Sequence, residues 1–158
     1  PALANATIDE LQKVLFSLGL RWRIDMIHRM TQDLQEQFKG QIPKEKMDLV
    51  SLPGISEYIA SAVRCFAWNK PEAIIDTNTV RIVGRLFGLE IKESSRRNRI
   101  FRKLLEALVD PEKPRLFNYS MLDLAALVCT KRMPKCSECP ICNYCAFGTK
   151  AVLSLEHI

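Results

Sequence analysis

The sequence is short of the residues and patterns that several common chemistries require. Only two histidines occur, His28 and His157, and neither has a second plausible ligand near it, which argues against His-centred zinc or triad chemistry. No apolar run reaches the roughly eighteen residues of a membrane-spanning helix, and the longest are broken by Arg, Lys or Asp, so no membrane role is expected. No stretch shows convincing strand alternation, and there is neither a low-complexity tract nor an internal repeat. The opening residues, Pro1 followed by ALANATIDE, lack the basic-then-apolar pattern of a signal peptide and read as a trimmed or processed end.

What is present suits a folded helical protein. At 158 residues and 47% hydrophobic content, the chain can form one domain or two small lobes and close a core without disulfides. Lys and Arg outnumber Asp and Glu 23 to 18, for a net charge of +5. The resulting pI of about 9.0 suits a polyanionic partner, although many basic proteins bind no nucleic acid.

Apolar spacing of three and four residues sets out a series of helices. Leu11, Val14, Leu15 and Leu18 share one face, and Thr7 with Glu10 forms a capping box ahead of them. Ile27, Met30, Leu34 and Phe38 form the next face, which stops at Gly40. A short helix over 44–50 runs into Leu52-Pro53-Gly54, and Ile59, Ala62, Val63 and Phe66 continue as another helix. Further helices are expected over 80–87, ended by Gly88, then over 99–109 and 117–128. The polar run from Ser94 to Arg99 reads as an exposed loop and helix start ahead of a DNA contact.

Five of the six cysteines fall between Cys129 and Cys145. Cys129, Cys136, Cys139 and Cys145 make C-x6-C-x2-C-x5-C, while Cys136, Cys139, Cys142 and Cys145 make three consecutive C-x2-C steps. Either set of four thiolates can surround an iron–sulfur cubane, and a four-cysteine zinc site is the main rival. A disulfide knot is disfavoured for an intracellular helical protein. Lys131, Arg132 and Lys135 would lie on the loop such a site holds, as phosphate ligands or as ordinary solvated lysines and arginine.

Two other features carry chemistry only in combination. In Leu52-Pro53-Gly54-Ile55-Ser56 the proline presets φ and the glycine permits a tight turn, so amides at the next helix start can face a phosphate; by itself such a turn is common. Asp76, in Ile74-Ile75-Asp76-Thr77-Asn78, stands just before a helix, where it reads first as an N-cap. Tyr58 fits core packing or the edge of a cleft equally well.

Taken in order, LPGIS-x-Y, IDTNTVRIVGRLFG, FNYSMLDLAALVC and C-x6-C-x2-C-x5-C resemble the endonuclease III superfamily of DNA glycosylases, from Leu18 to Cys145. The resemblance is closest to the mismatch-specific branch, which includes the thymine/uracil and adenine glycosylases. It implies an all-α, two-lobed helix-hairpin-helix fold with a C-terminal iron–sulfur loop. Residues 1–72 would carry the hairpin, and 73–158 the catalytic aspartate and the cluster. It implies a 4Fe–4S cofactor on Cys129, Cys136, Cys139 and Cys145, with Cys142 spare. Leu52, Gly54 and Ser56, with Lys131, Arg132 and Lys135, would meet double-stranded DNA, bound by a single copy of the chain. Ser56 stands where the family's hairpin has a second glycine.

Asp76 matches the family's catalytic aspartate. Lyase members have a lysine at the position of Tyr58, whose amine forms a Schiff base. With tyrosine there, the resemblance implies a monofunctional enzyme of base excision repair, which flips out a mispaired base and hydrolyses its N-glycosidic bond, with Tyr58 lining the pocket. Adenine-specific members have an N-terminal stretch with a base-protonating glutamate and a C-terminal domain that reads 8-oxoguanine; neither has a counterpart between Pro1 and Ile158. With IDTN in place of D-G-N as well, thymine or uracil opposite guanine is expected ahead of adenine. The other readings are a bifunctional glycosylase/lyase, a non-catalytic DNA-binding module with a structural metal and, below these, a ferredoxin-like electron carrier.

Overall fold

The computed structural model describes residues 1–18 and 21–153. His157 and the side chain of Leu18, both considered above, fall outside what it describes. Among the described residues there is no strand, and no helix is long and apolar enough to cross a membrane. The chain divides into two compact units, Pro1–Ala60 and Ser61–Ile158, so the division falls inside a helix rather than after residue 72.

The first unit holds α1 (Ala2–Asn5), α2 (Ile8–Leu15), α3 (Ile24–Phe38), α4 (Lys46–Ser51) and the start of α5 (Glu57–Trp68). The Thr7–Glu10 capping box forms: Glu10 N donates to Thr7 Oγ1 at 3.3 Å and Thr7 N to Glu10 Oε2 at 2.8 Å. Of the apolar face read for α2, Leu11 is buried but Val14 is 73% exposed, because this two-turn helix packs on α3 along one edge only. His28 Nε2 lies 3.3 Å from the Ala4 carbonyl and ties α3 to α1, a structural role for one of the two histidines. Helix α3 ends through left-handed Lys39 and Gly40, with Gly40 N donating to Leu34 O at 2.8 Å.

The second unit contains α6 (Thr77–Phe87), α7 (Arg99–Leu108), α8 (Pro114–Asp123) and α9 (Ala146–Leu153). Its core joins Val80, Ile82 and Val83 of α6 to Phe101 and Leu105 of α7, with Met121 of α8 and Ala125. Each of these side chains larger than alanine contributes about 1.5–3 kcal/mol by leaving water. Asn118, 2% exposed, pins the segment leading to α6: its amide donates to Glu72 O, Pro114 O and Cys65 Sγ, and its oxygen accepts from Ile74 N.

The helix expected over 117–128 takes a different form. After Asp123 it widens into a π turn over Leu124–Val128, closed by Cys129 N donating to Leu124 O. Arg81 Nη2 donates to Ala125 O at 3.1 Å and Nε to Cys129 O at 2.9 Å, supplying bonds that the widened turn gives up. The run from Ser94 to Arg99 is a 3₁₀ turn over Glu93–Arg97 followed by the Asn98 cap of α7. Helix α9, beyond the cysteines, is not foreshadowed by the apolar spacing of the sequence.

Candidate functional site

In the first unit, the expected helix–turn–helix forms from α4, the 52–56 turn and α5. Leu52 is buried and its carbonyl accepts from Ile55 N at 3.1 Å. Gly54 has φ +80°, and a Cβ there would collide with the Met26 side chain, so the turn depends on glycine twice over. Ser56 needs no such freedom. Among the described non-glycine residues only Lys39 and Asn69 have positive φ, and Ser56 instead caps α5, its Oγ accepting from Ile59 N at 3.3 Å. Tyr58 lies in the first turn of α5 and is 45% exposed, so it is not a core residue of this unit.

In the second unit Asp76 is the N-cap of α6, and its two carboxylate oxygens are used differently. Oδ1 accepts from Asn78 N at 2.9 Å and Thr79 N at 2.8 Å, whereas Oδ2 accepts from Asn78 Nδ2 at 2.9 Å. Thr79 Oγ1 accepts from Asp76 N at 2.9 Å and completes a capping box. These three donors at the helix N-terminus hold the carboxylate in one orientation. Oδ2 keeps acceptor capacity toward a reacting group, so capping and chemistry are compatible in one residue.

A chain of contacts runs from this carboxylate to the cysteine loop. Asn78 Oδ1 accepts from Arg81 Nη1 at 2.9 Å, and Arg81 reaches the Cys129 carbonyl. One turn on, Arg85 stacks over Phe147, 4.9 Å from the ring centroid, and donates to Cys129 Sγ at 3.2 Å, Thr130 O at 2.7 Å and Lys131 O at 3.1 Å. Asn78, Arg81 and Arg85 were missed at the level of sequence. Their signal was available: they recur at three and four residues along the polar face of α6, opposite Val80 and Val83, immediately after Asp76.

All five clustered cysteines line one small apolar cavity of about 20 Å³, with Val128, Pro134 and Phe147 among its other walls. Burial pushes the Cys136 thiol up from its usual range, and the other four thiols add to the rise. An all-sulfur donor set fits an iron–sulfur cluster or zinc. Among the described residues no three His, Cys, Asp or Glu side chains are gathered closely enough for a single ion. Lys131 and Arg132 are exposed on the loop; Lys135 is also exposed, 3.8 Å from Glu138, with its backbone N bonded to Val128 O.

A helical chain with a helix-hairpin-helix, an aspartate capping the helix after it and a cysteine loop near its end has the architecture of a DNA glycosylase fold. No protein-family model matches the chain. It is 39% identical over 155 residues to the thymine/uracil-DNA glycosylase of Pyrobaculum aerophilum, covering 94% of this chain and 66% of that protein. It is 35% identical over 152 residues to the thymine-DNA glycosylase of Aeropyrum pernix, covering 92% and 67%. Identity to the adenine DNA glycosylase of Schizosaccharomyces pombe is 33% over 130 residues, covering 81% and 28%. Among solved structures, a thermostable thymine-DNA glycosylase superposes with TM-score 0.88 at 28% identity, over 94% of this chain and 69% of that one. Endonuclease III, trapped as a covalent intermediate on DNA, shares the fold at TM-score 0.79 and 24% identity, over 95% and 70%. The chain belongs to the endonuclease III superfamily of DNA glycosylases. It spans about two thirds of the length of the two archaeal relatives.

Proposed function

We propose that the chain is the core of a monofunctional DNA glycosylase that removes thymine or uracil mispaired with guanine from double-stranded DNA. The observation that carries this is the carboxylate of Asp76, held by three hydrogen bonds at a helix N-terminus with Oδ2 able to accept more. Such a group stabilises positive charge that develops on a sugar as its base departs, and orients the water that replaces the base. The base must first leave the stack, and exposed Tyr58 is the residue assigned to line its pocket. A phenol cannot form the Schiff base that a lysine there would, which is the reason for hydrolysis without strand cleavage. The preference for thymine or uracil rests on the names of the two archaeal relatives, both more similar to this chain than the adenine-specific one.

Four thiols, Cys129, Cys136, Cys139 and Cys145, are assigned to a 4Fe–4S cluster. Bound there, it would cross-link the two ends of the loop bearing Lys131, Arg132 and Lys135, which would meet backbone phosphates. Leu52, Gly54 and Ser56 shape the hairpin whose α5 N-terminus would take another phosphate. One copy of the chain acts on DNA inside the cell.

The decisive experiment follows alkali-induced strand cleavage by the purified protein on labelled duplexes bearing G·T, G·U, A·G, A·8-oxoguanine and thymine glycol. Cleavage at G·T and G·U is expected. Binding to duplex without cleavage at any lesion would replace this reading with that of a DNA-binding module.

A further inference from the structure

Cys142 is surplus to the set Cys129, Cys136, Cys139 and Cys145, yet it lines the same cavity as those four. Its position is tied to that of Cys145. A Cβ on Gly148 of α9 would lie 3.0 Å from Cys142 Sγ and 3.4 Å from Cys145 Cβ, so the two cysteines flank one glycine and lie side by side on the cavity wall. They also ride on one short turn: Cys145 N donates to Cys142 O at 2.9 Å, and Thr149 Oγ1 donates to both carbonyls, at 3.4 and 2.9 Å. Gly148 N donates to Cys145 Sγ at 3.3 Å, and that sulfur lies 3.4 Å from Arg85 O. Cys142 is therefore carried on the same turn, beside Cys145 and facing the same space.

We propose that Cys142 is a reserve ligand that takes the place of Cys145 on the cluster. This rests on the cluster reading given above. In the exchange, the Cys142 thiol gives its proton to solvent and its sulfur forms the bond to iron as the bond from Cys145 breaks; the released Cys145 sulfur takes up a proton, and no electron is transferred. Hydrogen peroxide would make the exchange lasting, because a Cys145 thiolate that takes one oxygen atom to become a sulfenate, with water released, is a poorer ligand. Cys142 would thus keep the cluster in place when its neighbour is damaged.

The test uses purified holoprotein as wild type, C142A, C145A, C129A, C136A and C142A/C145A. Iron content, the band near ~400 nm and mass-mapped alkylation by iodoacetamide are read for each. Wild type, C142A and C145A should each hold about four irons per chain, and C129A, C136A and C142A/C145A should lose them. Cys142 should be alkylated in wild type and protected in C145A. Loss of iron from C145A equal to that from the double variant would overturn the proposal, as would iron-loaded C145A with Cys142 still alkylated. A cluster that survives in C129A but not in C145A would overturn it too, by showing that Cys142 covers the wrong neighbour. Because C145A could fail on folding alone, C142A gives a second measure: its cluster should bleach severalfold faster than wild type under peroxide, and equal rates would sink the idea. Iron-free wild-type protein would instead remove the cluster reading on which the inference stands.

Discussion

Arg81 holds the carbonyl oxygen of Cys129 at 2.9 Å while its other end grips Asn78, whose amide donates to Asp76. Two residues of one helix face, Asn78 and Arg81, thus connect the carboxylate assigned to the chemistry with the first cysteine of the loop. The connection makes a prediction about a residue that need not touch DNA. Arg81→Met removes three charge-assisted bonds, each of about 1.5–3 kcal/mol, and takes a donor from the Ala125 carbonyl of the π turn and from the Cys129 carbonyl, which keeps Arg85 Nη1 at 3.5 Å. Iron should be lost to a chelator severalfold faster, and single-turnover excision should slow. An unchanged rate of iron loss would show that the arginine does not secure the loop.

Asp76 carries two roles that substitution can separate. Asn caps helices as well as Asp does, so Asp76→Asn should leave urea stability within about 0.5 kcal/mol of wild type, whereas Asp76→Ala should cost about 1 kcal/mol. Excision should fall by roughly 10²–10³ in both, because only the anion stabilises the sugar cation. Full activity in the Asn variant would reduce Asp76 to a cap.

Tyr58 decides between hydrolysis and lyase chemistry. Wild-type protein should give no borohydride-trapped adduct with substrate duplex, and Tyr58→Lys should give one, since a lysine there restores the amine. Trapping in wild type would mean that another amine attacks the sugar.

Asn118 is satisfied on every side in a buried position, and its removal would take the side-chain partner from Ile74 N and from the carbonyl of Glu72. Asn118→Ala should destabilise the chain by roughly 2–4 kcal/mol, seen as a lower urea midpoint at unchanged slope. A shift under about 0.5 kcal/mol would mean that solvent or a shift of the backbone replaces those bonds.

Lys131 and Lys135 are exposed on the cysteine loop. If they meet phosphates, the double alanine variant should lower the slope of log affinity against log salt by about 1.8 on duplex DNA, near 0.9 for each phosphate no longer neutralised. An unchanged slope would leave them as ordinary surface charges.

Much of this was legible in the sequence, because local rules govern it. The Thr7–Glu10 box, Gly88 (φ 67°) at the end of α6 and the Pro53-Gly54 turn each follow from backbone chemistry within a few residues, and the core face of α6 follows from its spacing. Asp76 as an N-cap was equally readable, and the family resemblance supplied the second role. At Ser56, where the family's hairpin has a second glycine, only the structure shows that a serine without positive φ serves as a cap.

What the sequence alone determined was the set of helices and the gathering of five thiols on a short stretch, because periodicity and spacing are properties of the chain. What only tertiary structure decided was which groups meet across that chain. The π turn exists where Arg81, more than forty residues earlier, supplies donors to its carbonyls, and Arg85 can reach the Cys129 sulfur because α6 packs beside the loop. Cys142 joined the other thiols for a similar reason: a glycine in α9, a helix that apolar spacing does not announce, left room for its sulfur at the wall of the shared cavity.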